Sequence, residues 1–106
     1  MPELRESRAN EKFTLLNPRY MFYYVYVLRS GKDSQFYTGY TEDLRGRFEA
    51  HTRGKVESTK DRQPLTLIYS EACLEKKDAM KREKYLKTHH GKMFLRNRLK
   101  SYLTRV

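Results

Sequence analysis

The sequence predicts an α+β fold in which a three-stranded, largely antiparallel sheet is flanked by helices in the order β-β-α-β-α-α. Three observations lead there. Residues 22–29 (FYYVYVLR) are aromatic or β-branched nearly throughout and apolar on both faces, which marks a strand buried on two sides. Turn chemistry over Gly31-Lys32-Asp33-Ser34 leads straight into a second short run, as in a hairpin. Leu44, Phe48 and His51 then recur at i, i+4 and i+7, the stripe of a helix rather than the alternation of a strand.

The elements follow in chain order. Residues 1–20 carry mixed charge, no sustained period and the turn signal Asn17-Pro18; a poorly ordered N-terminal extension is expected there, before a single domain over residues 21–106. Organised sequence begins right after Met21, which is a candidate natural start. Phe22–Arg29 is the first strand and Phe36–Gly39 the second. Thr41 is expected to cap the first helix, with Glu42 and Asp43 in its opening turn where the helix dipole favours negative charge. That helix should run to a stop at Gly54. Leu65–Glu71 (LTLIYSE), after Pro64, is the third strand. Lys76–Thr88 and Lys92–Leu103 are two further helices, separated by Gly91, and together these elements make an α+β domain.

Composition narrows the function. The chain has 106 residues, 23 Lys or Arg against 13 Asp or Glu, and a formal charge of +10. Only 38% of it is hydrophobic, yet it holds nine Tyr and five Phe, so a small core must lean on aromatic rings. No apolar run approaches the roughly 18 residues that span a bilayer, and the N-terminus lacks signal-peptide order. A single cysteine, Cys73, excludes a disulfide framework and a Cys-based zinc site. So many aromatics also exclude a disordered basic tail. A soluble, cytoplasmic, basic domain with no membrane role is expected. From Lys81 to Val106 nine Lys or Arg stand against one acid, Glu83, and such an excess favours a polyanionic partner. Ribosome-associated and membrane-surface proteins share basic excess, and a solvated helix face produces it too.

Three features point to chemistry. On a helical wheel Glu83 lies between Met80 and the Ala79/Leu86 pair, so the one acid of the segment points along an apolar stripe. A carboxylate so placed needs a partner, either an Arg in a buried ion pair or a metal or reacting group. Arg47 and His51 share a helix face at i, i+4, and Arg can grip a phosphate with two parallel hydrogen bonds, although solvated helix residues give the same pattern. Tyr24, Tyr26, Tyr37 and Tyr40 crowd the hairpin, either as packing or as reactive hydroxyls. A tyrosine serves as general base where nearby positive charge makes its phenolate accessible, and this chain has that charge to offer. Two-metal aspartate patterns, a phosphate-binding glycine loop and a Ser/His/Asp order are absent. If the protein cleaves phosphodiesters, a single acidic ligand suits one hard cation, Mg2+ or Mn2+, largely hydrated.

Tyr24-Val25-Tyr26 followed by Tyr37-Thr38-Gly39 resembles the paired signature of the GIY-YIG nuclease superfamily. Tyr40-Thr41-Glu42-Asp43-Leu44, Arg47 and His51 look like the continuation of that signature, and Ala79–Lys87 is similar to the helix bearing the metal-binding glutamate. Thr59-Lys60, Pro64 and Leu67–Glu71 follow the small stand-alone bacterial members, so the likeness runs from about Phe22 to about Leu99. It implies a three-stranded sheet with flanking helices and metal-dependent phosphodiester hydrolysis. It further implies that Tyr26 is the general base, with Tyr37 orienting or relaying the proton. By the same likeness Arg47 would hold the scissile phosphate, His51 would assist, and Glu83 would ligate one Mg2+ (or Mn2+) ion. Tyr24 stands where the signature has Gly and Thr38 where it has Ile; Asn97, the one late Asn, is given no role. The DNA- or zinc-binding domains that larger relatives carry are missing, so substrate choice falls to the basic C-terminal helices, a protein partner or self-association. Nucleic-acid contacts are expected from Lys60, Lys92, Arg96 and Arg98. The leading expectation is an endonuclease acting on DNA, favoured over RNA, with branched or damaged DNA in repair or recombination as candidate substrates. A non-catalytic nucleic-acid-binding module that retains the fold is the alternative, and a protein-interaction or ribosome-associated role is the third.

Overall fold

The computed structural model describes residues 21–105, and the expected N-terminal extension lies outside them. Three strands, β1 (Tyr23–Ser30), β2 (Phe36–Thr41) and β3 (Leu65–Cys73), form one antiparallel sheet in the order β2-β1-β3. Helix α1 (Leu44–Thr52) lies between β2 and β3 in the chain, while α2 (Lys76–Leu86), α3 (His89–Arg98) and the short α4 (Lys100–Thr104) follow β3. The α+β class and the β-β-α-β-α-α order read from the sequence are those of the molecule.

β1 is central because it is apolar on both sides, and Val25, Tyr26, Val27 and Leu28 are all buried. Its odd positions face one way: Val25 and Val27 pack with Ala79 and Leu86 of α2 and Leu95 of α3. Its even positions face the other: Tyr26 and Leu28 pack with Leu65, Tyr37, and Leu44 and Phe48 of α1. Each fully buried leucine side chain contributes roughly 2–3 kcal/mol through water removed from its surface. Between Val27 and Leu28 the register against β3 slips, and the bulge lets both Ile68 and Tyr69 pack on the α2–α3 side.

Several local expectations give way to particular contacts. β2 continues through Thr41, and the cap of α1 is Asp43, whose carboxylate accepts from the Gly46 N–H at 3.1 Å. Thr41 instead accepts from the Asp43 N–H at 3.1 Å, so no acid lies in the first helical turn. β3 runs two residues past Glu71, to Cys73. α2 stops at Leu86 because Thr88 caps α3, its side chain accepting from the Gly91 N–H at 3.1 Å. Gly91 therefore lies inside a helix and is no breaker. It allows α3 to cross tightly over the end of α2, where a Cβ would overlap the Tyr85 carbonyl oxygen. The expected last helix is two helices: Leu99 leaves helical dihedrals (φ −105°, ψ 22°), and beyond it Tyr102 lies under the Arg29 guanidinium.

Candidate active site

The site forms where the α1 face of β1 and β2 meets α1 itself. In the hairpin register Tyr26 stands opposite Gly39, and their side-chain positions share a face. The Tyr26 ring lies across Gly39 so closely that a Cβ there would overlap its hydroxyl. Glycine at that position is thus a condition of the tyrosine's pose. Tyr37, two residues earlier on β2, lies beside it with ring centroids 6.4 Å apart.

α1 supplies the next two groups at i and i+4. His51 is fully buried, and its Nε2 is 2.8 Å from the Tyr26 hydroxyl. Arg47 is exposed, and its Nε donates to the Tyr26 oxygen at 3.4 Å. The far side of the imidazole is held too: Nδ1 is 2.6 Å from the hydroxyl of Thr59, itself fully buried. With Arg47 donating to the Tyr26 oxygen, the Tyr26 proton is left for Nε2, and Nδ1–H donates to Thr59. This tautomer gives the Tyr26 hydroxyl and both ring nitrogens of His51 a partner.

Burial governs the electrostatics. Desolvation pushes the Tyr26 hydroxyl above its ordinary pKa; hydrogen bonding by Arg47 pulls it down, but the nearby Tyr37 and Glu83 add to the rise. The expectation that positive charge would make the phenolate accessible is therefore corrected: loss of solvent outweighs one guanidinium. Desolvation, with Arg47 second, pushes His51 below its ordinary value, so the ring is neutral near pH 7. Arg47 is held above its ordinary value, first by its hydrogen bond to Tyr26.

Glu83 projects from α2 toward this cluster, near enough for its charge to act on Tyr26. Its side chain is 21% exposed and pairs with Lys87 Nζ at 3.2 Å. The alternative of a buried ion pair with an Arg is not realised at Glu83: the adjacent Arg82 instead forms a half-buried pair with Glu71. Arg82 Nε and Nη2 grip the Glu71 carboxylate at 2.9 Å, and the Tyr69 hydroxyl donates to it at 2.6 Å. Burial alone would raise the Glu71 carboxyl, but these hydrogen bonds hold it below its ordinary range. Met80, expected beside Glu83 in the stripe, is exposed. Among the described residues no group of three or more His, Cys, Asp or Glu could enclose a metal ion. A hydrated hard cation needs only one or two protein carboxylates and takes its other ligands from water and phosphate. Glu83 is a donor that could hold such an ion, whereas a zinc ligand set is not present there.

Of the tyrosine set, Tyr26 and Tyr37 are brought together. Tyr40 faces the other side, stacks on Tyr23 at 6.4 Å and donates to Glu42. The predicted nucleic-acid contacts spread along the surface. Lys60 is exposed and pairs with Glu57 at 3.2 Å. Arg96 lies over the Phe36 ring at 5.4 Å, and Lys92 and Arg98 are exposed on α3. Sequence reasoning gave no role to Thr59, to Gln63, whose side-chain amide donates to the His51 carbonyl, or to Lys87. Only the folding back of residues 53–64 onto α1 reveals the first two.

Residues 22–102 match the family described as the GIY-YIG catalytic domain. Similar chains include a UPF0213 protein of Staphylococcus haemolyticus, 42% identical over 67 residues covering 62% of this chain and 80% of the relative. UPF0213 proteins of Staphylococcus aureus are 39% identical over 75 residues, 70% of this chain and 90% of theirs. The solution NMR structure of a UPF0213 protein from Bacillus halodurans is 37% identical, covers 71% of this chain and 82% of its own, and has a TM-score of 0.46. No helix among the described residues is long and apolar enough to cross a membrane. With this extent of match, the chain belongs to the GIY-YIG catalytic domain family, a nuclease domain whose substrate is nucleic acid.

Proposed function

We propose that the protein is a cytoplasmic endonuclease that hydrolyses phosphodiester bonds in DNA with one Mg2+ or Mn2+ ion, in repair or recombination of branched or damaged DNA. The observation that carries this reading is the Tyr26 hydroxyl, set between a neutral His51 at 2.8 Å and the exposed Arg47 at 3.4 Å. Arg47 presents its outer guanidinium edge to the scissile phosphate and stabilises charge as it builds on the oxygens. Tyr26 keeps its proton at rest because burial disfavours the phenolate. As water attacks phosphorus, the Tyr26 oxygen takes the water proton and its own proton passes to His51 Nε2, while Thr59 steadies the imidazolium through Nδ1–H. Tyr37 orients the water. Glu83 would hold the ion, releasing Lys87. When bound, that ion supplies Lewis-acid polarisation of the phosphate and steadies the leaving 3′ oxygen.

The test is a cleavage assay with Mg2+ or Mn2+ on labelled duplex, single strand, flap, bubble, four-way junction and structured RNA, with wild type beside Glu83→Ala. Metal-dependent cutting that vanishes in the variant is expected. Undiminished cutting by a clean Glu83→Ala preparation overturns the mechanism, and salt-sensitive binding with no cutting by wild type favours the binding module.

A further inference from the structure

Beside the catalytic cluster, a cleft of about 190 Å³ opens between edge strand β2 and the α2–α3 corner, lined by Phe36, Tyr37, Thr38, Leu86, Lys87, Lys92 and Leu95. That volume equals roughly six waters at liquid density, enough for a phosphodiester group. Its two charged side chains are both cationic. The capped corner at Thr88, made tight by Gly91, sets Lys87 and Lys92 on the same cleft from different helices. Lys87 is also the partner of Glu83 at 3.2 Å, so one ammonium serves a carboxylate and an anion-ready cleft. Tyr37 borders the cleft and packs 5.2 Å from the His51 ring, which makes cleft and reaction centre neighbours.

Resting on the nuclease reading, we propose that this cleft is a second anion site. It takes a backbone phosphodiester next to the scissile one, with Lys92 as a fixed ligand and Lys87 as an exchangeable one. Without a cation Lys87 neutralises Glu83. A divalent ion on Glu83 repels the ammonium, and the cleft that Lys87 already lines receives it together with the phosphate. Metal loading and strand binding are thereby coupled through one side chain.

The experiment measures binding of labelled DNA and RNA duplexes by fluorescence anisotropy in EDTA and in Ca2+ across a salt series, and Mn2+ binding to the free protein by EPR. Wild type is compared with Lys87→Gln, Lys92→Gln, Lys92→Arg and Lys76→Gln, the last at the far end of α2. Lys92→Gln should weaken binding several-fold, reduce the salt slope by about one and leave Mn2+ affinity alone, while Lys92→Arg binds as wild type. Lys87→Gln should move the two readouts in opposite directions, with DNA binding weakened more in Ca2+ than in EDTA and Mn2+ binding several-fold tighter, which a merely structural lysine would not do. Lys76→Gln should change neither. Equal losses on DNA and RNA identify the phosphodiester as the ligand; a loss on one alone shows that the cleft reads the sugar and overturns the backbone assignment. Glu83-dependent cleavage with unaltered binding by both cleft variants overturns the second site and leaves the nuclease reading standing. Altered binding without any cleavage by wild type upholds the site and overturns that reading.

Discussion

Tyr26 works under two opposing influences. A guanidinium draws on its oxygen, yet the core around it excludes the water a phenolate would need. In the proposed mechanism a neutral hydroxyl passing its proton to a neutral imidazole resolves the conflict without a buried anion. Tyr26→Phe keeps the ring that covers Gly39 and removes the hydroxyl. Cleavage should fall on the order of 10²–10⁴-fold while duplex binding holds, as parallel cleavage and anisotropy measurements would show. The pH profile follows from His51, whose folded pKa lies below its unfolded value near 6.5. The acid limb of the cleavage rate should therefore fall below pH 6.5, and Thr59→Val, which strips Nδ1 of its partner, should displace that limb. Stability carries the same sign. Below pH 6.5 the unfolded chain binds a proton that buried His51 resists, so this stability is present above pH 6.5 and lost as pH falls toward the folded pKa. Chemical denaturation of wild type and His51→Gln across that window should show a shallower acid loss in the variant.

At the scale of the element, glycines and caps set the site. α1 starts at Asp43 because a carboxylate two residues past the end of β2 reaches the Gly46 N–H, while Thr41 is still paired in the sheet. The sequence pattern pointed to Thr41 as the cap with Asp43 in the first turn, and strand pairing of Thr41 moved the cap to Asp43. The α2–α3 corner depends on Gly91, where an added methyl meets backbone rather than a flexible side chain. Gly91→Ala should destabilise the fold by about 1–3 kcal/mol, seen as a lowered denaturation midpoint, and should weaken nucleic-acid binding through displacement of Lys87 and Lys92. Sequence alone reads a mid-segment glycine as a helix break; the close approach of α2 gives it the opposite meaning.

For the whole molecule, the net charge of +10 acts through where its cations remain free. Lys60 is partly neutralised by Glu57, and Arg96 lies on Phe36, whereas Lys92 and Arg98 stand exposed. Neutralising Lys92 or Arg98 to Gln should each lower the slope of log affinity against log salt by about 0.9 on duplex DNA, and Lys60→Gln by less. A titration series at several salt concentrations checks the ranking. It tests whether the basic C-terminal helices carry the nucleic acid.

The amino-acid sequence by itself determined the α+β class, the central strand and the lone acid of the C-terminal segment. Each is written in short-range periodicity: two apolar faces on β1, a 3.6-residue stripe on α1, one carboxylate among lysines. The paired tyrosine signature likewise announced the family. Tertiary structure alone decided which partner each group meets. Thr59 reaches the back of His51 through a folded loop, Arg82 takes Glu71 rather than Glu83, Lys87 takes Glu83, and Tyr40 leaves the tyrosine set for the opposite face. The direction of the Tyr26 pKa belongs there as well. Desolvation is the sum of neighbours brought in from distant parts of the chain, and no local pattern of charges contains that sum.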